Sequence, residues 1–322
     1  MKIQPRVLNW LLEKEQPSVR YHTLVDLLDR KRDDPEAREA LSQIPRIGWA
    51  AEILSTQAPS GNWESLRSLY RPKYTATNWR AIVLADLGIT AKDARIGATC
   101  DLFFEKWLST RRRSLFDDPE VCVVGNLART LAHFGYADDA RVRRLFDGLV
   151  SSQKDDGGWH CFPSDNGSLD CWEGLAAYAA LQRRKWTSSI KRSVERGVEF
   201  YLERQLCNDG QARYEPWFRF HYPVHYYYDL LIGLDTITSL GYGQDDRRVE
   251  RAIGVLKEKR RGDGTWNLDA VHPDLGRGAN YGPFKKPPKR FALEVEGKPS
   301  KWITLVALRI LKRIEEDWMC TE

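Results

Sequence analysis

Cysteine, histidine and aspartate side chains are concentrated in two neighbouring stretches of the chain, 159–175 and 210–230. The candidates for chemistry among them are Cys161, Asp170, Cys171, His221, His225 and Asp229. Thiolate and imidazole together form a ligand set that zinc prefers in proteins. The sequence therefore predicts a zinc site with Cys161, Cys171 and either His221 or His225 as ligands. The alternative interpretation is that the cysteines fill small spaces in the core and the histidines pack among aromatic rings.

Proton transfer is the second chemistry that these stretches indicate. Asp229 directly follows three consecutive tyrosines and is the strongest single candidate for a catalytic acid, which must be buried to stay protonated. Tyr228 and Asp170 are the other candidate catalytic residues. The alternative for Asp229 is a structural role, in which its carboxylate caps a helix or forms an ion pair.

Aromatic residues are dense in the same stretches and supply candidate contacts for a substrate. They include Trp172, Tyr214, Trp217 and Tyr226. Their ring faces could pack against an apolar chain and stabilise a developing positive charge. The alternative is ordinary packing in the core and at its edge.

A long stretch without helical periodicity, 267–300, carries many Pro and Gly residues and several basic ones. A loop of this length inside a domain is typically functional or disordered. We therefore predict a lid over the site. Its Lys285 and Lys286, together with Arg213, are the candidate contacts for an anionic group.

A helical repeat that runs through the chain must position these residues. An apolar helical stretch is followed by a polar residue and a Gly-containing turn that usually ends in Trp, as in Gln57 to Trp63 and Gln153 to Trp159. A second apolar stretch follows each turn, and its period of three to four residues indicates a helix. Six such hairpins of roughly fifty residues predict an all-α protein with one domain, 1–322. We expect a closed barrel rather than an open solenoid, because neither end repeat looks like a polar cap.

In a closed barrel the inner helices are parallel, so that their first turns meet at one end. The unsatisfied N–H groups and aligned dipoles there attract an anion such as a diphosphate. The stretches between each turn and the following inner helix would form this end. They are 63–80, 111–126, 159–175, 210–230 and 267–302.

Composition excludes several classes of function. A net charge of +5 on 322 residues does not indicate nucleic acid as a partner. No run approaches the roughly 18 apolar residues of a membrane helix, so that no integral membrane association is expected. Six scattered cysteines without a CxxC pair and no signal peptide indicate a cytoplasmic protein. The motifs of phosphate-binding loops, serine hydrolases and His-Glu-x-x-His metalloproteases are absent.

The pattern of Gln, a short spacer and Gly-x-Trp resembles the QW repeat of squalene and terpene cyclases and the related repeat of protein prenyltransferase β subunits. The resemblance spans the chain, and it implies an (α/α)6 toroid whose outer helices carry the Gln. We expect the Gln carbonyl to accept the indole N–H of the repeat Trp. The prenyltransferase family binds zinc through Asp, Cys and His, for which Asp170, Cys171 and His225 stand in comparable places. Here the Asp and Cys are adjacent, whereas the family has Asp-x-Cys.

The resemblance implies an enzyme related to isoprenoid-processing toroids, acting on a lipophilic, prenyl-diphosphate type of substrate in the central cavity. The cyclase acid motif Asp-x-Asp-Asp and the magnesium–diphosphate motif Asp-Asp-x-x-Asp do not occur in this chain, which argues against an ordinary triterpene cyclase. The alternative is a non-catalytic binding or interaction scaffold with the same barrel. A prenyltransferase would also need a helical partner subunit, which a single sequence does not reveal.

Overall fold

Helices form the regular structure of the chain. The computed structural model describes residues 3–109, 120–208, 214–272 and 289–315, and within these ranges two isolated β-bridges occur but no strand. None of the helices in these ranges combines the length and the apolar character that crossing a bilayer requires. The predicted all-α class is confirmed.

The helices alternate between an outer and an inner layer, except that two helices lie between the first two inner ones. In chain order they are α1 (Pro5–Leu11), α2 (Pro17–His22), α3 (Pro35–Gln43), α4 (Gly48–Ser55), α5 (Thr77–Asp86), α6 (Ala94–Lys106), α7 (Val121–Leu131), α8 (Ala140–Ser151), α9 (Glu173–Ala180), α10 (Ser188–Glu203), α11 (Leu230–Ser239), α12 (Glu250–Glu258) and α13 (Lys301–Ile314). The inner helices are α2, α5, α7, α9, α11 and α13, and both α3 and α4 lie between α2 and α5. Single π-helical turns, Thr23–Leu27 and Ala132–Tyr136, extend α2 and α7.

Polar side chains at the helix starts explain where several helices begin. Each side chain accepts a hydrogen bond from a backbone N–H of the first turn, which would otherwise lack a partner. The capping residues are Asp34, Asp93, Asp139, Thr187, Asp229 and Ser300. The cap on α11 is Asp229, which is also a predicted site residue.

The repeat tryptophans are buried and clamp each turn onto the end of the preceding outer helix. The indole N–H groups of Trp63, Trp159 and Trp266 donate to the backbone carbonyl ten residues earlier, at 2.9, 2.8 and 2.7 Å. Each acceptor lies near the end of an outer helix, where carbonyls lack an intrahelical partner. The expectation that the repeat Gln accepts this N–H is therefore wrong.

The repeat glutamines instead connect successive hairpins. The Gln57 amide donates to Thr99 Oγ1 of α6 at 2.8 Å, and the Gln153 amide donates to the Ser193 carbonyl of α10 at 2.8 Å. Each also donates to a carbonyl of its own turn. The glutamine thus holds the turn of one hairpin against the outer helix of the next.

The last helix closes the ring by packing on the first two. Inner helices contact one another in the order α5, α7, α9, α11, α13 and α2, and α4 joins α2 to α5. Arg309 of α13 bridges Asp26, at 3.1 Å, and Asp235 of α11, at 2.7 Å. Lys312 donates to the carbonyls of Asp26 and Leu27. The six hairpins therefore form the predicted closed (α/α)6 toroid.

Candidate functional site in the central cavity

A cavity of about 310 Å³, here called the central cavity, lies inside the ring. All six inner helices contribute to its lining, through His22, Asp86, Arg129, Ala176, Asp235 and Arg309 in chain order. Aromatic walls come from Trp172, Tyr222 and Trp302, and aliphatic side chains such as Ile232 and Val306 complete them. The cavity therefore combines an apolar wall with several ionisable groups.

His221 and Asp229 form a buried pair on this lining. His221 Nδ1 lies 2.7 Å from Asp229 Oδ2, and both side chains are 1% exposed. Asp229 Oδ2 also accepts the His221 backbone N–H at 2.9 Å, and Oδ1 accepts the Ile232 N–H at 2.8 Å. Two backbone N–H groups thus donate to the Asp229 carboxyl group, and His221 Nδ1 lies within hydrogen-bond distance of it. His221 Nε2 has no hydrogen-bond partner among the described residues.

Asp86 and Arg129 form a second polar pair at the opposite end of the inner helices. Arg129 Nη1 donates to Asp86 Oδ1 at 2.8 Å, and the guanidinium lies 5.4 Å from the Trp172 ring centroid. Burial raises the pKa of Asp86 and outweighs the charge and hydrogen bond of Arg129, which lower it. The carboxyl group of Asp86 is therefore protonated more easily than that of an ordinary aspartate.

Three more charged residues at the cavity, two arginines and one aspartate, pair with one another. Asp235 accepts from Arg309 at 2.7 Å and from Arg313 at 2.8 Å. Burial raises the pKa of Asp235, but the charges and hydrogen bonds of the two arginines outweigh it and hold the pKa below its usual range. These guanidinium groups are committed to carboxylates, whereas Arg129 keeps Nη2 without a partner in the described structure.

The beginnings of the inner helices are covered by a stack of rings. Tyr74 stacks on His272, with 3.8 Å between ring centroids, and packs against His225 and Tyr226 at 5.1 and 6.3 Å. Both ring nitrogens of His225 lack partners in the described structure, and burial, followed by the charges of His272 and His221, holds its pKa well below the usual range.

A second and larger cavity, of about 1210 Å³, lies where the inner helices end, opposite the stack of rings that covers their beginnings. It shares His22, His133 and Ala180 with the central cavity. The prediction put the opening at the helix starts, but the space next to the central cavity lies at the helix ends.

Only some of the predicted site residues reach the central cavity. Trp172, His221 and Asp229 line it. The remaining described candidates have other partners: Tyr228 donates to the Leu206 carbonyl, Trp217 donates to Asp170, the Tyr214 and Tyr227 hydroxyls are paired, and the Tyr226 hydroxyl accepts from Lys73. Of these contacts, the one between Trp217 and Asp170 joins the loops before α9 and α11, and the one between Lys73 and Tyr226 joins the loops before α5 and α11. None of these four tyrosine and tryptophan candidates lines the cavity.

The predicted metal ligands do not form a metal site. The described residues include no group of three or more His, Cys, Asp or Glu side chains that could hold a metal ion. Cys161 and Cys171 contact each other, with 3.4 Å between sulfurs, whereas His221 pairs with Asp229 and His225 packs between Tyr74 and Trp79. The histidines are thus held by other groups, and none of the predicted ligand sets is assembled.

The three predicted contacts for an anionic group, Arg213 and the lid residues Lys285 and Lys286, lie outside the described residues, as does the middle of the predicted lid. The described flanks, 267–272 and 289–300, pack over the starts of the inner helices. Lys289 pairs with Glu64 at 2.8 Å, and the Arg80 guanidinium lies 3.7 Å from the Phe291 ring centroid. The lid remains a prediction.

Sequence reasoning missed the polar residues at the far end of the cavity. They occupy one position in the repeat, here called the rim position, two residues before the glycine that follows an inner helix. Asp86, His133 and Ser239 hold it before Gly88, Gly135 and Gly241, and all three line the central cavity. The signal was present in the sequence, as a polar residue two positions before a glycine in three copies of the repeat.

Comparisons with known proteins find similarity in structure but not in sequence. No protein-family model matches the chain, and no curated protein is similar to it. The ligand-free type II terpene cyclase MstE from Scytonema has 19% identity and a TM-score of 0.44, over 92% of this chain and 88% of that one. A variant of MstE in complex with its substrate, geranylgeranyl dihydroxybenzoate, has 18% identity and a TM-score of 0.44, over 93% and 86%. Solved structures similar to this chain thus include type II terpene cyclases, the superfamily that its repeats resemble, and the similarity concerns the fold alone.

Proposed function

We propose that this chain is a terpene cyclase-like enzyme that transfers protons to and from a small, oxygen-bearing isoprenoid in the central cavity. One observation carries the proposal. A single cavity with aromatic walls contains a carboxyl group of raised pKa, Asp86, and an imidazole oriented by a carboxylate, His221 with Asp229. A cation-mediated cyclisation begins with the gain of a proton and ends with the loss of one, and it needs both kinds of group.

The size and lining of the cavity favour a short substrate with a modest polar group. Its volume of about 310 Å³ is at the lower end of the range for small-molecule sites. Arg129 Nη2 and the Tyr222 hydroxyl are buried without partners in the described structure, and both can bind an oxygen. Since Arg309 and Arg313 are held by Asp235, the cavity suits a hydroxyl or carboxyl group better than a diphosphate.

In the proposed reaction, neutral Asp86 donates its proton to one double bond and leaves a carbocation on the substrate. A second double bond of the substrate attacks this cation, which closes a ring and moves the positive charge to another carbon. The ring faces of Trp172 and Trp302 stabilise that charge. His221 Nε2 then accepts a proton from the carbon beside the cation, and a new double bond forms. Asp229 holds the Nδ1 proton in place and stabilises the imidazolium. The product is an isomer of the substrate, and water returns the proton to Asp86.

The reaction is testable because it conserves mass and exchanges hydrogen with solvent. Purified protein is incubated in D2O with farnesol, farnesoic acid and farnesyl diphosphate, and products are analysed by mass spectrometry. We expect the alcohol or the acid to give a cyclic isomer that contains one deuterium. Binding without turnover would favour the non-catalytic scaffold, and release of pyrophosphate would replace this mechanism by ionisation of a diphosphate.

A further inference from the structure

Three cysteines lie together where α7 and α9 begin, and none of them lines the central cavity. Cys161 Sγ accepts the backbone N–H of Cys122 at 3.3 Å and lies 3.4 Å from Cys171 Sγ. Cys161 follows the repeat Trp159, and Cys171 ends a short 3-10 turn, Leu169–Cys171. Cys161 and Cys122 are partly exposed, whereas Cys171 is buried.

The surroundings of these sulfurs favour a negative charge on Cys161 alone. The backbone N–H of Cys122 belongs to the first turn of α7, where N–H groups attract anions. Hydrogen bonds from the Cys122 and Cys171 thiols hold the pKa of Cys161 below its usual range. The hydrogen bond to Cys161, followed by burial, raises the pKa of Cys171. Burial also raises the pKa of Glu173 well above its usual range, so that this neighbouring carboxyl group adds little repulsion.

We propose that Cys161 is a modification site, a nucleophilic thiolate that reacts with small disulfides such as glutathione disulfide, and that Cys171 is its resolving thiol. The partial exposure of Cys161 lets the disulfide approach, and the sulfur of Cys171 is already in contact for the second step. This arrangement matches the features of reactive cysteines, which lie near helix N-termini and are accessible, in contrast to inert core thiols.

The two steps are ordinary thiol–disulfide exchanges. The Cys161 thiolate attacks one sulfur of glutathione disulfide, forms a mixed disulfide and expels one glutathione thiolate, which takes up a proton. Cys171 then loses its proton to solvent and attacks Cys161 Sγ, expelling the second glutathione. In sum, two protein thiols are oxidised and one glutathione disulfide is reduced to two glutathione molecules.

The resulting bond would fix one wall of the central cavity. Cys171 immediately precedes Trp172, whose indole lines the cavity and donates to the Tyr226 carbonyl at 3.3 Å. A disulfide requires the two sulfurs to approach to about 2.05 Å. The closure of this gap would tie the 161–171 loop directly to the start of α9.

The first test measures reactivity. The native protein is treated with iodoacetamide over a range of pH and the modified cysteines are identified by peptide mass spectrometry. At about pH 6 we expect Cys161 to react at least about tenfold faster than Cys100, a core thiol whose pKa burial raises to about 12. Equal rates, or faster modification of Cys122, would overturn the assignment of the nucleophile.

The second test follows oxidation by glutathione disulfide in the native chain and in three variants. We expect the native chain to form a Cys161–Cys171 disulfide, Cys171→Ser to stop at the mixed disulfide on Cys161, and Cys161→Ser to react at neither position. Cys100→Ala, the matched control in α6, should behave as the native chain does. A glutathione adduct that persists on Cys161 of the native chain, or a link to Cys122, would refute the role of Cys171.

Discussion

His221 Nδ1 and Asp229 Oδ2 lie 2.7 Å apart on the wall of the central cavity, and both side chains are 1% exposed. Asp229 also caps the first turn of α11. The same carboxylate thus fixes the start of an inner helix and the orientation of the imidazole. Nε2 is the ring atom of His221 without a hydrogen-bond partner among the described residues.

Replacement of the carboxylate by an amide tests this coupling. Asp229→Asn should keep the helix cap, since Asn caps helices about as well as Asp, but the amide cannot hold the same tautomer of His221. We expect turnover of the isoprenoid substrate to fall by about 10²-fold or more and its pH profile to shift. His221→Gln should lose at least as much.

The matched control is Asp139→Asn, which alters the capping aspartate of outer helix α8 in the same way. It should leave turnover unchanged. If Asp229→Asn turned over substrate at the native rate, His221 would not be the group that transfers the proton.

The proposed acid is tested by a change that keeps its shape. Asp86→Asn removes the transferable proton and retains an acceptor for Arg129, so that we expect ligand binding by calorimetry to persist. Incorporation of deuterium from D2O should fall by about 10²- to 10⁴-fold. Unchanged incorporation would assign the first proton transfer to another group.

The Arg309 bridge should contribute strongly to stability. Its side chain is 16% exposed, and it joins Asp26 and Asp235 across the site where the ring closes. Arg309→Met leaves two carboxylates without this partner, and we expect a loss of about 3–5 kcal/mol in the free energy of unfolding, measured with urea.

An exposed ion pair provides the comparison. Arg248 contacts Asp246 and Glu199 at the surface, and Arg248→Met should cost less than about 1 kcal/mol. Equal effects of the two substitutions would show that the ring does not depend on the buried bridge.

His225 should make stability depend on pH. Burial, with the charges of His272 and His221, depresses its pKa in the folded state, whereas the unfolded chain binds a proton near pH 6.5. The contribution of neutral His225 is therefore complete above about pH 6.5 and is lost as the pH falls from there toward the folded-state pKa.

His225→Phe removes this proton and keeps an aromatic ring among Tyr74 and Trp79. We expect the difference in unfolding free energy between about pH 7 and pH 5 to be smaller in this variant than in the native chain. His160→Phe, at a partly exposed position, is the control and should preserve the difference. An unchanged difference in His225→Phe would mean that the folded state also binds this proton.

The fold was predictable because its signals are local. Trp63 and Trp159 mark turns by their own neighbours in sequence, and the apolar period of a stretch such as 303–311 is visible without any partner. The hairpins, their order and the closed ring therefore agree with the sequence analysis. The role of Gln57 could not be predicted, since its acceptor Thr99 lies on the next hairpin.

The site was predictable only in part, for the opposite reason. His221 and Asp229 are eight residues apart and were both candidates, but as a metal ligand and an acid rather than as a pair. Asp86 and Arg129 are 43 residues apart, and only the curvature of the ring brings them together. Long-range pairs of this kind have no signature in a single sequence. The sequence analysis therefore predicted a zinc site and did not predict the polar pairs that the structure contains.

The residues at the rim position face the cavity and take no part in the tryptophan and glutamine contacts that hold the hairpins together. On three inner helices, α5, α7 and α11, the residue at the rim position reaches the cavity at a place that neither the tryptophan clamps nor the glutamine links use, so that its exchange leaves those contacts intact. A carboxylate, an imidazole and a hydroxyl already occupy equivalent places in this chain. Substitutions at the rim position would therefore change the groups that face the cavity and leave the contacts that hold the hairpins together intact.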